Sequence, residues 1–104
     1  MSVELVRRCA ALGDQTRWEI LRLLGSQTLS ASALAQRLPV SRQAIVKHLK
    51  ILHEVGLVSG KKYGREVVYS ALGSELSFLA TILEQHARNW DKRLTRVRRI
   101  DKTP

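Results

Sequence analysis

Residues 30–71, SASALAQRLPVSRQAIVKHLKILHEVGLVSGKKYGREVVYSA, decide the fold of this 104-residue chain. A short apolar pattern begins at Ser30 and cannot continue past Pro39 as a helix, because proline lacks the backbone donor. Ser41 is a good cap for a second, basic helix, and Gly56 can end that helix in a left-handed conformation. The stretch therefore predicts two helices separated by a tight break.

The pattern changes after Gly56 from a helical period to an alternating one. Leu57–Lys62 and Glu66–Ala71 are strand-like, and residues 63–65 form a short glycine-containing turn between them. A helix, a break, a basic helix and a hairpin are the layout of a winged helix-turn-helix. In that layout one helix enters a DNA groove and the hairpin touches the flank. The order of the elements thus predicts double-stranded DNA as the partner.

Further helices flank this motif on both sides. Val3–Leu12 predicts a first helix, and Asp14 can cap a second. The apolar face of the second helix is predicted to be Trp18, Ile20, Leu21, Leu23 and Leu24. Gly73-Ser74 opens a long last helix that runs to about Arg99. We predict one mainly α domain with a small β-hairpin, in the order four helices, two strands and one helix. Its parts are the N-terminal helices (1–29), the helix-turn-helix (30–56), the wing hairpin (57–71) and the C-terminal dimerisation helix (73–99).

Composition supports a polyanionic partner. Lysine and arginine number 18 against 9 acidic residues, which gives a net charge of +9 and a pI near 10.6. Hydrophobic residues make up 44%, enough for a core, while the longest apolar runs are too short for a membrane span. No signal peptide is recognisable at the start, and Cys9 is the only cysteine. We therefore expect a cytoplasmic protein without a membrane partner.

The second helix of the motif has two different sides. Ile45, Leu49 and Leu52 recur at helical spacing and predict a buried face. The other side carries cations that can contact phosphates and an amide, Gln43, that can read an adenine edge. A solvated face of an ordinary amphipathic helix is the alternative, but the break before it and the basic hairpin after it favour DNA. The DNA-binding residues predicted here are Ser41, Arg42, Gln43, Lys47 and Lys50.

The predicted hairpin is basic at its tip. Lys61, Lys62 and Arg65 surround Gly64, and glycine allows the turn to come close to another backbone. Such a tip can reach the minor groove or the phosphates beside it. A charged surface turn with no partner is the alternative. We predict that Lys62, Gly64 and Arg65 contact DNA.

Four motifs occur in order along the chain: LGDQTRWEILRLL (12–24), VSRQAIVKHLKIL (40–52), VGLV (55–58) and YGREVVY (63–69). Together they resemble the ArsR/SmtB (arsenical-resistance-repressor) family of winged helix-turn-helix regulators. The resemblance implies a homodimer that binds a near-palindromic operator and represses transcription. It also implies base reading by Ser41, Gln43, Ala44 and Lys47, with Gly64 and Arg65 at the wing tip. Lys47 departs from the family, which commonly has a small hydroxyl residue before the His-Leu pair, so no operator sequence is implied.

Many members of this family sense metals, but their ligand motifs are incomplete here. Ser30 and Ser32 occupy the positions of the family's cysteines, and hydroxyls are poor ligands for soft metals. The carboxylate-x-His pair of the last helix is matched by Glu84-Gln-His86, but no second histidine pair follows. We expect no metal and no cofactor. Cys9 is interpreted as a packing residue, with redox sensing as the alternative.

The last helix predicts self-association. Leu76, Leu79, Leu83, Ala87, Trp90, Leu94 and Val97 recur at spacings of three and four, which is the pattern of a helix that packs on another helix. A chain of 104 residues has too little remaining structure to cover all of this helix. We therefore predict a homodimer, with help from the first helix. The predicted interface residues are Leu5, Leu83, Ala87, Trp90 and Leu94.

Other functional classes have less support from the sequence. A protein-interaction module that docks an acidic partner is one alternative, because the last helix is strongly basic. A metal-responsive or redox-responsive repressor with an unrecognised site is another. No nucleophile–base pair, paired acids or phosphate-cradling loop is present, so we do not expect an enzyme. The operator, the regulated genes and any inducer are not determined by the sequence.

Overall fold

Five helices and a small antiparallel sheet make up the fold. The computed structural model describes residues 3–101, with side chains described for residues 3–92. The helices are α1 Val3–Leu12, α2 Gln15–Leu24, α3 Ala31–Arg37, α4 Arg42–Glu54 and α5 Gly73–Asp101. The strands are β1 Leu29–Ser30, β2 Val58–Tyr63 and β3 Glu66–Ala71. The predicted mainly α fold with a β-hairpin is confirmed.

Three helices begin at a polar side chain that caps them. Asp14, Ser30 and Ser41 each accept a hydrogen bond from the backbone N–H three residues later, at 3.0, 3.1 and 3.1 Å. Each cap satisfies a donor that the first turn of a helix would otherwise leave unpaired. The starts of α2, α3 and α4 therefore follow from local sequence, as predicted.

The end of α4 is set by Gly56. This residue has φ +76°, a left-handed conformation that glycine adopts without steric cost. The Gly56 N–H donates to the carbonyl of His53 and the Leu57 N–H donates to the carbonyl of Leu52, both at 3.0 Å. This pair of bonds is a Schellman motif, which closes the helix and turns the chain towards the wing.

The sheet has three strands, one more than the sequence predicted. β2 and β3 form the hairpin, and β1 pairs antiparallel with β3 on its other side, with Leu29 opposite Tyr69. A strand of two residues is too short to show an alternating pattern, so β1 was not predicted. Tyr63 pairs with Glu66 and belongs to β2, which shortens the turn to Gly64 and Arg65.

The core lies between α2, α3, α4 and the base of the wing. It is a single apolar cluster, and the predicted buried face of α4 forms its centre. The side chains with the least exposure are Ile20, Leu34, Ile45, Leu49, Leu52, Leu57 and Val58. Burial of each such side chain contributes on the order of 1.5–3 kcal/mol. The rotation of α4 about its own axis is therefore fixed by its apolar side.

The structure differs from the sequence prediction at Trp18. Ile20 is fully buried, whereas Trp18 is 55% exposed. Two residues correspond to about 160° around a helix, so the two side chains lie on nearly opposite sides of α2. Trp18 borders a groove of about 430 Å³ between α2 and α5, whose walls include Leu21, Leu79 and Leu83.

Arg8 connects three helices through one guanidinium. Its Nε donates to the carbonyl oxygen of Val55 at the end of α4, at 2.9 Å. Its Nη2 lies 3.0 Å from Oε2 of Glu75 in the first turn of α5. The Arg8 side chain is largely buried, so these contacts are shielded from water more than an ordinary surface ion pair.

The long helix α5 leaves the rest of the protomer after its first turns. Leu79 is buried, but every side chain from Leu83 to Lys92 is exposed. The described part of the protomer therefore covers only the beginning of α5. No helix within residues 3–101 is both long and apolar enough to cross a membrane.

Replacing Gly56 by alanine tests the role of this residue in ending α4. We expect Gly56→Ala to lower the free energy of unfolding by about 1–2 kcal/mol, because the left-handed conformation disfavours a side chain. The added Cβ would also lie 3.2 Å from Nη2 of Arg8. Urea unfolding at a fixed protein concentration measures the change.

Gly73→Ala is the matched control. Gly73 does not have a positive φ, and nothing lies within 4 Å of the position of its added Cβ. We expect this variant to change the free energy of unfolding by less than about 0.5 kcal/mol. Equal unfolding free energies for the two variants would contradict the role given to Gly56.

Candidate nucleic-acid interface

The candidate interface is the exposed side of α4 together with the wing. Gln43, Lys47 and Lys50 lie on the side of α4 opposite its core face, and all three are exposed. Their spacings of four and three residues place them on one side of the helix. An exposed polar face backed by a rigid buried one is the arrangement that a major-groove helix requires.

The start of α4 is also exposed. Ser41 Oγ accepts the Ala44 N–H, which leaves its hydroxyl hydrogen as a donor for a phosphate oxygen. Arg42 is exposed, and Ala44 is half-buried beside it. The first turn of a helix presents unpaired N–H groups and a partial positive charge, both of which favour phosphate.

Ser30 and Ser32, the family's cysteine positions, have structural hydrogen bonds. Ser30 caps α3. Ser32 Oγ accepts from Nε of Arg42 at 2.9 Å, which joins α3 to the first residue of α4. Of these two contacts, only the Ser32–Arg42 bond therefore connects the two helices of the motif.

A polar cluster fixes α4 against α2. Arg17 Nη1 lies 3.3 Å from Nδ1 of His48, and Arg17 Nε donates to the carbonyl oxygen of Ala11 at 2.6 Å. Because a guanidinium only donates, Nδ1 is the acceptor in this contact. Asp14 Oδ1 lies 3.9 Å from the same nitrogen. His48 therefore contacts α2 and the residue that caps it.

The Asp14 carboxylate is stabilised in its charged form. The backbone N–H of Arg17 donates to it, and this bond is the main reason that the pKa of Asp14 is lowered. The positive charge of Arg17 acts in the same direction. The Asp14 cap was predicted from the sequence. The contact between Arg17 and His48 was not, because the two residues are 31 positions apart in the chain.

The wing presents its cations to solvent. Lys62, Gly64 and Arg65 are exposed, and Gly64 has φ +62° at the first position of a two-residue turn. Lys61 Nζ lies 5.4 Å from the centre of the Tyr63 ring, a cation–π contact along one side of β2. The wing tip is therefore a basic turn with no apolar burial of its own.

A trough separates α4 from the wing. Its volume is about 410 Å³, and it is lined by Val46, Leu49, Lys50, His53, Gly60, Val67 and Tyr69. A Cβ on Gly60 would lie 2.9 Å from Cγ1 of Val67 and 3.1 Å from Cε1 of Tyr69. Glycine at this position therefore allows β3 to pack closely against β2. Val46 and Val67 are not among the DNA-binding residues predicted from the sequence.

The predicted interface residues for self-association lie in different environments. Ala87 and Leu83 are exposed, and Trp90 is 64% exposed. Leu5 is 7% exposed, so its own protomer already covers most of it. The side chain of Leu94 lies outside the residues whose side chains are described.

The remaining candidate ligands are dispersed. Glu84 pairs with Arg88 at 2.7 Å, one turn along α5. Cys9 is a half-buried free thiol. Among the side chains of residues 3–92, no three His, Cys, Asp or Glu groups come together in a way that could hold a metal ion.

Comparison with known proteins gives a consistent result. A helix-turn-helix domain family matches residues 12–60. The HTH-type transcriptional regulator Rv2034 of Mycobacterium tuberculosis is 38% identical over 89 residues, covering 86% of this chain and 80% of the relative. The transcriptional repressor SdpR of Bacillus subtilis is 31% identical over 80 residues, covering 77% and 80%.

A solved structure resembles nearly the whole chain. The ArsR-like transcriptional regulator from Rhodococcus sp. RHA1 has 52% identity and a TM-score of 0.82, and the match covers 97% of this chain and 95% of that one. The sequence motifs, the fold and the similar proteins all indicate the same family. The chain belongs to the ArsR/SmtB family of winged helix-turn-helix proteins and is a DNA-binding transcriptional regulator.

Proposed function

We propose that this regulator is a homodimeric repressor that binds a near-palindromic operator. The observation that carries the proposal is the exposed polar face of α4, whose opposite face is buried in the core, beside a basic wing. In the proposed complex α4 enters the major groove, and the wing tip contacts the flanking backbone or minor groove. Because its target is chromosomal DNA, we propose that it works in the cytoplasm.

The predicted site residues divide into two roles. We propose that Ser41, Gln43, Ala44 and Lys47 face base edges, while the other residues contact phosphates and position the protein. The phosphate contacts are assigned to Arg42, Lys50, Lys62, Gly64 and Arg65, and the Ser41 hydroxyl can also donate to a phosphate. The exposure of all of them except Ala44 supports this assignment, since an exposed group needs no rearrangement to meet DNA.

Two alanine substitutions on one face of α4 distinguish base reading from phosphate contact. The operator for these measurements is first identified by selecting the fragments of genomic DNA that the protein binds. We expect Gln43→Ala to cost about 1–3 kcal/mol at one base pair of each half-site and to relax the preference there. We expect Lys50→Ala to weaken specific and random duplexes alike, and to reduce the slope of log affinity against log salt by about two, about one for each protomer of the proposed dimer.

Titration of labelled duplexes over a range of salt concentrations measures both effects. Each variant is the control for the other, because the two residues lie two turns apart on the same exposed side. Equal affinity of the unmodified protein for operator and random DNA, or a flat salt dependence, would contradict the proposed function.

The proposed dimer follows from the exposed part of α5. Helix α5 has 29 residues, and the side chains of residues 83–92 are not covered by the protomer. A helical extension without packing is only marginally stable in water, so a partner helix is needed. Leu83, Ala87 and Trp90 are spaced by four and three residues and continue the apolar side that begins at Leu79.

A second copy is the occupant that fits this surface. A two-fold dimer brings the same apolar side of both α5 helices together and closes the surface, so that it does not continue into a filament. We propose that the same two-fold symmetry presents the two α4 helices to half-sites about 34 Å apart. The half-buried first helix contributes Leu5 only at the margin of such an interface.

Trp90→Ala tests the interface against Phe78→Ala. Both side chains are apolar and similarly exposed, at 64% and 61%, but they lie about 120° apart around α5. We expect Trp90→Ala to raise the dissociation constant of the dimer on the order of 30-fold, as for a large aromatic residue at an interface centre. We expect Phe78→Ala to leave it nearly unchanged.

Sedimentation equilibrium at several protein concentrations measures the dissociation constant. A monomeric unmodified protein, or a dimer weakened by Phe78→Ala and not by Trp90→Ala, would contradict the proposed arrangement. Circular dichroism confirms that both variants remain folded.

Repression is the proposed direction of regulation. A relative that is 31% identical is a transcriptional repressor, and a compact protein across a promoter blocks polymerase by occupying its site. Transcription in vitro from a promoter that overlaps the selected operator should fall as protein is added. An increase in the amount of transcript would indicate activation and would contradict the proposed repression.

A further inference from the structure

An apolar side chain interrupts the polar face of α4. Val46 is 42% exposed and lies three residues after Gln43 and four before Lys50, so it belongs to the same side of the helix. It is absent from the buried cluster and from the partly buried residues packed against that cluster. The Val46 side chain is thus an apolar group among an amide and cations. Such a surface fits a ligand that carries both an apolar group and negative charge.

The surroundings of Val46 support the same chemistry. Val46 lines the trough between α4 and the wing, and Val67 lines it from β3. Lys50 and His53 contribute cationic or polar groups to the same trough. At Gly60 the side chains of Val67 and Tyr69 on β3 lie close over the backbone of β2. The trough thus offers hydrocarbon walls with a basic rim.

The major groove contains one apolar group that such a surface can recognise. Base edges there present hydrogen-bond donors and acceptors, and the exception is the C5-methyl group of thymine. We propose that Val46 reads a thymine methyl group in each half-site; this inference rests on the proposed function. Three residues of helix correspond to about 4.5 Å along the axis, and successive base pairs are about 3.4 Å apart. The thymine therefore lies within about two base pairs of the base that Gln43 contacts.

The size of the effect follows from the area that one methyl group buries. Burial of a single methyl-sized group favours binding by about fourfold. Removing it from one half-site should weaken binding by about that factor, and removing it from both should weaken binding by about 15-fold if the half-sites act independently.

Replacing thymine by uracil tests this contact without changing base pairing. Uracil lacks only the C5-methyl group, so each thymine of the selected operator can be replaced in turn and the affinity of the full-length protein measured. We expect one thymine per half-site at which the substitution weakens binding by about fourfold. We expect Val46→Ala to bind the thymine duplex about 15-fold more weakly, because both protomers lose the contact, and to bind the thymine and uracil duplexes equally at that position.

Ile51→Ala is the matched control. Ile51 is also a branched, exposed side chain of α4, at 38%, but it faces a different surface lined by Arg7 and Ala10 of α1. We expect this variant to retain the sensitivity of the unmodified protein to uracil. Circular dichroism shows whether each variant keeps its helix content.

The outcomes separate this inference from the proposed function. If the protein prefers its operator but no uracil substitution weakens binding, Val46 does not read a methyl group and the inference is overturned, while the proposed function stands. If Val46→Ala still binds the uracil duplex more weakly than the thymine duplex, the inference is likewise overturned while the proposed function stands. If the protein shows no preference for any duplex, the proposed function fails and the inference fails with it.

Discussion

Burial of one side of α4 is the constraint on which the rest of the structure depends. Ile45, Leu49 and Leu52 are almost completely removed from solvent. Rotating the helix by even a quarter turn would expose hydrocarbon and bury charge, at a cost of several kcal/mol. The core therefore decides which residues of α4 face outward. The side chains on the side of α4 that we propose faces DNA are therefore determined by which side chains the core buries.

The ends of α4 are fixed by different means from its middle. A serine hydroxyl caps its start, a left-handed glycine closes its end, and Arg17 holds its middle through His48. These contacts are polar and directional, whereas the hydrophobic burial of the α4 core face has no preferred direction. Hydrophobic burial determines the rotation of the helix, and the hydrogen bonds determine where it begins, ends and rests against α2.

The sequence predicted what depends on local chemistry. The starts at Asp14, Ser30 and Ser41, the stop at Gly56 and the two sides of α4 all follow from the preferences of a few adjacent residues, and the structure agrees with each. The exposed positions of Gln43, Lys47 and Lys50 follow from the same helical period.

What the sequence did not predict depends on contacts between distant residues. β1 is too short to have a pattern, and its pairing with β3 joins residues about 40 positions apart. Trp18 is apolar, but only the packing of α2 decides that it points away from the core. The bonds of Arg8 and Arg17 join separate helices, and a single arginine in a basic sequence gives no indication of its partner.

Arg8 has a mechanical consequence. Its guanidinium holds the last carbonyl of α4 with one nitrogen and a carboxylate of α5 with another. A tilt of α5 relative to α4 must lengthen at least one of these two contacts. The Arg8 side chain thus links the end of α4 to the start of α5, so that a change in the angle between these two helices changes the geometry of both contacts at once.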